Sequence, residues 1–535
     1  MAKPVREMTL DDVAALKTLL SEARRTYELD LDRVNSRFVE MRPGLISQLL
    51  SRSHHVIQGR RGTGKSTVLQ VLNLRARQEC IPVAIVDMEH HKHRTYPDVL
   101  IELLVDMLSR LRPRPSKKFM IWQHMRLRRR TTRTIRQLQV ILNDPAVIQR
   151  SIERKTRRQG TVKTGISIAG RASVDGSLEA SAHTERGESG EGEASKIERL
   201  RSLAPGINKL LVNLVQETDV KKSLVFVDDY YFIATQDQPL VLDYLHAVCK
   251  GTGVWLKVGG VGSRLKLYQE GDPPVGVQIG QDVSRLKLDV TLEDFARAKA
   301  FLEQVLNGIL QPVGMAVQNV MNDGARNRIV LASGGAVPRD YINLVLDALD
   351  IAVDRVRGDD ASSGAVRIQT EDINRAARRR TNEKEEEELR QDAGADAPAL
   401  RDRWQDIQAF AKNRGETTFV LFRQGDLTDT EWGRQIEQLE NLRLLHRIGT
   451  AVPNTATWRQ VRVIIMMIDL AAIVNQRLSA NIVEFWKGQA EFDKLRRAQW
   501  VYDPDWRASL KDQDEVGTVI PKKPAGSKDE SGGLW

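Results

Sequence analysis

Gly59-Arg60-Arg61-Gly62-Thr63-Gly64-Lys65-Ser66 is a complete G-x-x-x-x-G-K-S loop, and it decides how the rest of the chain is read. A triphosphate needs closely spaced backbone N–H donors, which glycines permit by letting the chain approach the phosphates. It also needs a cation at the β/γ oxygens, supplied by Lys65, and a hydroxyl on Mg²⁺, supplied by Ser66. The flanks fit this reading. His55-Val56-Ile57-Gln58 reads as a short strand, and Ser66 to Glu79 as a helix with Val68, Leu69, Leu72 and Ala76 at helical spacing. The expected nucleotide-binding set is therefore Gly59, Arg60, Arg61, Gly62, Thr63, Gly64, Lys65, Ser66 and Thr67, with ATP and Mg²⁺ as the groups held.

Working outward, Pro82 to Asp87 reads as a second strand and Pro97 to Leu111 as a helix. Leu224-Val225-Phe226-Val227 forms an apolar strand ending at Asp228-Asp229. That pair fits the second element of phosphate-loop chemistry. Asp228 is the expected metal ligand and Asp229 the group that positions or deprotonates water. A helix over Leu240 to Cys249, a strand over Val254 to Val258 and a short strand over Arg285 to Leu288 follow. Strands alternating with helices predict an α/β fold with a mainly parallel sheet covered on both faces.

The core is expected over 38–291, after an N-terminal helical segment over 1–37 within a stretch, Leu10 to Leu50, that reads as helical throughout. A helical lid is expected over 292–380, a charged linker over 381–399, a further unit over 400–512 and a disordered tail over 513–535. Residues 112–196 read as an insertion, with hairpins over Thr161 to Ala182 and a mobile Gly/Glu/Ser-rich stretch after it.

Charge is unevenly placed. The whole chain carries +10, yet Arg112 to Arg158 holds fifteen Lys and Arg against Asp144 and Glu153 alone. Arg126, Arg128, Arg129, Arg130, Arg133 and Arg136 crowd one helical stretch with few acids to pair with. Ordinary solvated helices mix signs, so this stretch reads as a phosphate-backbone grip for nucleic acid or a docking patch for an acidic partner. Two cysteines, Cys80 and Cys249, argue against a disulfide framework or a Cys-based zinc site. The absence of a long apolar run argues against a membrane span, and the N-terminus lacks a signal-peptide core. These readings predict a cytoplasmic protein. The tract Asp87-Met88-Glu89-His90-His91-Lys92-His93 reads as a polar loop near the nucleotide rather than a zinc site, because its spacing does not suit one helix face.

Two further arginines are candidates for the catalytic set beside Lys65 and Asp229. Arg339, in Ser333-Gly334-Gly335-Ala336-Val337-Pro338-Arg339, stands near the start of a helix from which it would reach the γ-phosphate, or else reads as a surface arginine. Arg264, after Val261-Gly262-Ser263, reads as a phosphate sensor, a finger toward a neighbouring subunit, or a plain surface residue.

Phosphate loop, two-aspartate strand, Gly/Ser-Arg after the next strand, and S-G-G-x-x-P-R in a helical lid together resemble the initiator-type, origin-recognition-like AAA+ ATPases, close to the STAND ATPases. Thr370-Glu371-Asp372-Ile373 resembles the head of the last lid helix of that group. The resemblance implies an AAA+ core, a winged-helix-like domain over 400–512, and a homo-oligomer. It also implies a bacterial protein of the kind found in phage-defence systems. Two departures stand out: the acid pair is D-D where initiators carry D-E, and the fourth strand ends in Gly259-Gly260 without a polar sensor. In the C-terminal unit, Glu431 to Arg447 is the expected recognition helix, with mixed charge, and Thr457 to Ile465 an expected strand.

Two functions satisfy these features. One is Mg-dependent ATP binding and hydrolysis coupled to nucleic-acid binding and assembly. The other is a slow nucleotide-gated oligomeric switch that recruits or restrains a separate effector protein.

Overall fold

A computed structural model describes residues 8–23, 34–35, 37–113, 121–143, 196–358, 365–383, 397–414, 417–451, 461–475, 482–496 and 501–507. The expected hairpins, the Gly/Glu/Ser-rich stretch, most of the linker and the tail lie outside them. The chain divides into two compact units, Met1–Arg379 and Arg380–Trp535.

The first unit begins with α1 (Leu10–Ala23), whose Val13, Leu16 and Leu20 are buried. A short α2 (Leu45–Leu49) follows. Residues 38–44 between them are not helical, so the continuous helix expected over Leu10 to Leu50 is broken. Gly44, left-handed at φ 79°, stands at the start of α2. Then come β1 (His55–Gln58), α3 (Lys65–Gln78), β2 (Val83–Asp87) and α4 (Asp98–Leu111). The arginine-rich stretch is α5 (Ile121–Leu142), and 196–216 is α6. The core closes with β3 (Ser223–Asp228), α7 (Gln238–Cys249), β4 (Val254–Gly260), a small hairpin of β5 (Tyr268–Gln269) and β6 (Val275–Gly276), and β7 (Ser284–Lys287).

Five strands form one sheet in the order β2-β3-β4-β1-β7, and every pairing is parallel. Central parallel strands lie between helical layers and are dry on both faces, whereas the edge strands β2 and β7 are only partly buried. All six residues of β3 and all four of β1 are buried accordingly. α4 buries eight residues, from Val99 to Leu111, on a stripe wide enough to serve two neighbours. One neighbour is β2 and the other is α5. Leu127, Ile135, Leu138 and Ile141 of α5 join the same apolar cluster as α4, α6 and α7. The basic helix is thus a packed layer of the core, with its arginines turned outward.

The lid comprises α8 (Phe295–Leu310), α9 (Val317–Val320), α10 (Asp323–Ala332), α11 (Pro338–Gly358) and α12 (Thr370–Glu383). The N-terminal segment packs here: Met8 bridges to Val366, and α1 lies against α8 and α11.

The second unit runs α13 (Ala397–Asn413), β8 (Phe419–Arg423), α14 (Gln424–Asp429), α15 (Glu431–Asn441), β9 (Leu445–Ala451) and β10 (Val463–Ile468), followed by α16 (Leu470–Asn475) and α17 (Gln489–Arg496). Its three strands pair antiparallel in the order β8-β10-β9. The helix expected to reach Arg447 stops at Asn441 because Arg443 turns left-handed at φ 64° and the Leu444 amide bonds back to Leu439 O. His446 and Arg447 are therefore strand residues. The expected strand over Thr457 to Ile465 begins at Val463, and 452–460 lie outside the described residues. All six residues of β10 are buried, which its uninterrupted Val-Ile-Ile-Met-Met-Ile requires.

Candidate nucleotide site

The site lies at the carboxyl ends of β1 and β3, where open parallel sheets present their loops to ligands. β1 delivers the chain to Gly59, whose amide donates to Gly260 O of β4 at 3.2 Å. Gly62 is left-handed at φ 88°, and a Cβ there would lie 2.9 Å from Val337 Cγ1 and 3.1 Å from Arg339 Cβ. Only glycine satisfies both the backbone and the lid above it. The loop then enters α3 with Lys65 as its first residue.

Lys65 is 7% exposed and donates to Gly59 O at 2.8 Å and Arg60 O at 3.1 Å. Burial pulls its ammonium below the ordinary lysine value, while Asp229, Asp228 and Asp289 push it back up. Asp228, 3% exposed, hydrogen-bonds the Ser66 hydroxyl and accepts from the Asp229 amide at 2.9 Å. Burial holds the Asp228 carboxyl above its usual range. Asp229 takes a left-handed φ of 50°. Burial, then the neighbouring Asp228, raises its carboxyl to about 6.

Two acids of the polar tract expected near the nucleotide come to this end of the sheet. Asp87 stands opposite Asp228 in the β2–β3 register, and Glu89 lines the same cavity as Asp229. The Ser66 hydroxyl and the Asp228 carboxylate, hydrogen-bonded to each other, are hard-oxygen donors of the kind that suits Mg²⁺. Burial drives the Asp228 and Asp229 carboxyls toward protonation, a tendency that a bound cation would relieve. Ser66 and Asp228 thus fit the metal role by their chemistry.

A cavity of about 330 Å³ opens beside these groups. Arg61, Gly62, Thr63, Gly64, Lys65, Ser66, Thr67, Asp229 and Arg339 line its polar end. Val34, Phe38, Val39, Met41, Phe301, Val305, Ile309 and Ile342 line its apolar side. The apolar wall comes from the N-terminal segment and the lid, a long-range assembly that no local pattern announces. The basic Arg37 and acidic Glu22 also reach it.

Arg339 sits at the start of α11, close enough to Lys65 to depress its pKa, and its amide reaches Gly62 O at 3.4 Å. The structure thus brings Arg339 to the cavity with Lys65 and Asp229. Arg264 is not among the lining residues. Its guanidinium lies over the Tyr231 ring, 5.7 Å from the centroid, and Tyr231 lines the cavity. Gln238, fully buried, fixes that loop by donating to Ile233 O and Arg264 O and accepting from the Lys266 amide. Gly59 and Arg60 do not line the cavity either; the Arg60 side chain turns toward the lid.

The missing polar residue after β4 has a steric reason. A Cβ at Gly259 would stand 3.1 Å from Asp228 Oδ1, so a side chain there would press on the buried carboxylate.

Outside the cavity, His91 is held between Glu102 (2.8 Å) and Asp106 (3.2 Å). Those bonds raise its pKa, the Asp106 bond first. On α5, Arg126, Arg129, Arg130, Arg133 and Arg136 are exposed and Arg128 half-buried, away from the apolar face.

The arrangement is that of a P-loop ATPase. The family described as ORC-CDC6-like matches residues 21–82, the stretch from the end of α1 through the phosphate loop and α3. Among solved structures, the chain is similar to the Aeropyrum pernix ORC1 protein in complex with DNA, at 15% identity, covering 87% of this chain and 96% of that one, with a TM-score of 0.31. It is similar to Cdc6p from Pyrobaculum aerophilum at 12% identity, covering 84% and 98%, TM-score 0.31. It is also similar to a Walker-type ATPase of Pyrococcus abyssi at 12% identity, covering 83% and 95%, TM-score 0.33. No curated protein sequence matches the chain. Among the described residues, no helix is long and apolar enough to cross a membrane.

Proposed function

We infer that the chain is an initiator-type AAA+ ATPase that binds and hydrolyses ATP with Mg²⁺ and couples this to nucleic-acid binding. The observation that carries the reading is one cavity lined by Lys65, Ser66, Asp229 and Arg339, with Asp228 bonded to Ser66 behind it. Backbone amides of the loop and the Lys65 ammonium would bind the phosphates. Ser66 and Asp228 would hold Mg²⁺, which when bound neutralises phosphate charge. Asp229 would accept a proton from the attacking water as the bond to the γ-phosphorus forms and the β–γ bridging bond breaks, ADP leaving with the bridging oxygen. Arg339 would balance charge on the γ-phosphate from the lid.

The second unit, with its helix–strand–helix–helix–strand–strand order, is read as a winged-helix-like domain. Its α15 exposes Glu431, Arg434 and Glu437, a mixed surface ill-suited to reading a groove. The nucleic-acid grip is therefore placed on α5, through the six arginines named above. Homo-oligomerisation and a bacterial phage-defence role belong to this proposal on the resemblance, a cytoplasmic setting on the sequence reading, and a separate effector protein on the switch reading.

The test is ATP turnover with and without single- and double-stranded DNA and RNA at two salt concentrations. Stimulation that fades with salt, and is lost when Arg129, Arg130 and Arg133 are changed to glutamine, is the expected result. A slow rate indifferent to every nucleic acid would replace this reading with the nucleotide-gated switch.

A further inference from the structure

The second residue of the phosphate loop does work that the loop motif does not ask of it. Arg60 is 6% exposed and turned away from the nucleotide cavity. Its amide and Nε both donate to Asp289 Oδ1, at 2.9 and 3.2 Å. The guanidinium then spans to the lid: one terminal nitrogen donates to Gly334 O at 2.9 Å, the other to Gly335 O at 2.8 Å and Val290 O at 3.2 Å. Its own carbonyl accepts from Lys65 Nζ and from the Thr63 hydroxyl. One residue therefore joins the phosphate-binding lysine, the strand-to-lid junction and the lid turn.

The turn it grips is unusual. Gly334, Gly335 and Ala336 stand in succession in the left-handed region, at φ 62°, 72° and 71°. The alanine tolerates that conformation poorly by itself. This twist directs two successive carbonyls at one guanidinium, a geometry matched by arginine's planar fork and by no other side chain. Immediately after the turn come Pro338 and Arg339, the start of α11 and the arginine that lines the cavity.

We propose that Arg60 is a positioning residue that clamps the Gly334–Gly335 turn to the phosphate loop and thereby sets Arg339 over the γ-phosphate position. The clamp makes the phosphate loop and the first turn of α11 one mechanical body. Discrimination between ATP and ADP by Arg339 then depends on Arg60, although Arg60 touches no nucleotide. This rests on the ATPase reading for its functional arm and on the hydrogen-bond geometry alone for its structural arm.

The experiment compares the full chain with Arg60→Ala, Arg339→Ala and the double variant. Amide hydrogen exchange over 333–341 is measured without nucleotide, and affinities for fluorescent ATP and ADP analogues are measured with Mg²⁺. In Arg60→Ala the turn amides should lose protection while β1 and β3 keep theirs. The preference for ATP over ADP should fall roughly five- to tenfold in either single variant, the lower range for a coupling between sites, and no further in the double. Arg60→Lys should recover little of it, because an ammonium cannot span both carbonyls. Unchanged turn protection, or single effects that multiply in the double variant, would overturn the clamp. If the wild type binds neither nucleotide, the ATPase reading fails, and exchange over 333–341 still decides the clamp. Should Arg60→Ala not fold, Asp289→Asn, which loosens the same guanidinium from its anchor, gives the same two readouts.

Discussion

His54 and His55 lie at the opposite end of β1 from the nucleotide loop, and they set how the core responds to acid. Both are buried. The His54 ring accepts the Leu256 amide at 3.0 Å and packs against His246 and Trp255. His55 Nδ1 is 2.8 Å from the Nζ of Lys257, itself fully buried. Burial is the first cause that lowers both rings to about 4, with His246 and Lys257 adding to it at His54 and Lys257 at His55. Asp282 pulls the other way at His54. Burial also takes Lys257 down to about 7, helped by nearby Lys222. The folded state thus keeps both imidazoles neutral, while the unfolded chain takes up protons near pH 6.5. Stability is present above that pH and lost as pH falls from about 6.5 toward 4. Each proton contributes a slope of about 1.4 kcal/mol per pH unit. Urea unfolding at pH 7, 6 and 5 should show this loss, and His54→Asn should flatten it. A stability that is flat over that range contradicts the burial argument. His91 behaves oppositely, because its raised pKa gives a contribution that is present below about pH 6.5 and lost as pH rises through the raised value. At this scale the sequence disclosed the phosphate loop and the acid pair, whose spacing is local. It did not disclose why β4 ends in two glycines, because the groups they make room for, the Asp228 carboxylate at Gly259 and the Leu265 side chain at Gly260, come from outside the strand.

Among the elements, α5 marks the limit of composition as a guide. Its arginines were legible as an unpaired basic face, yet Leu127, Ile135, Leu138 and Ile141 make the same helix a core layer. Only the partner surface on α4 reveals that second role. In the second unit, α15 ends short of the expected Arg447 because the break at Arg443 comes from backbone conformation rather than from a glycine or proline. Residues 501–507 were not expected to serve as a clasp. Tyr502 donates its amide to Leu421 O and its hydroxyl to Asp406 Oδ2 at 2.7 Å. Trp506 Nε1 donates to the same carboxylate at 3.1 Å, and both rings pack edge-on against Phe410 of α13. Asp406→Ala removes the acceptor that the Tyr502 hydroxyl and Trp506 Nε1 share. A loss of about 2–3 kcal/mol in the stability of this unit is expected, read from urea unfolding followed by tryptophan fluorescence. A change under about 0.5 kcal/mol, the size of an ordinary surface substitution, would show the clasp to be incidental.

For the whole molecule, alternation of strands and helices gave the α/β class directly, because that pattern follows from parallel pairing. Strand order was not legible. β7 joins β1 at the sheet edge, across more than two hundred residues of chain, and no local signal encodes that register. The same distance hides the apolar half of the cavity, which the N-terminal segment and the lid build together, and the lid contacts of Arg60. What unites these parts is a single claim: Lys65, Asp228 and Asp229 form a working phosphate-transfer site. The most direct measurement is release of labelled phosphate from γ-labelled ATP under single-turnover conditions, for the wild type, Lys65→Ala and Asp229→Asn with Mg²⁺. The expected result is hydrolysis by the wild type, none above background for Lys65→Ala, and a rate at least about a hundredfold slower for Asp229→Asn with ATP still bound. Hydrolysis that persists in Lys65→Ala, or a wild type that binds ATP and releases no phosphate, would contradict it.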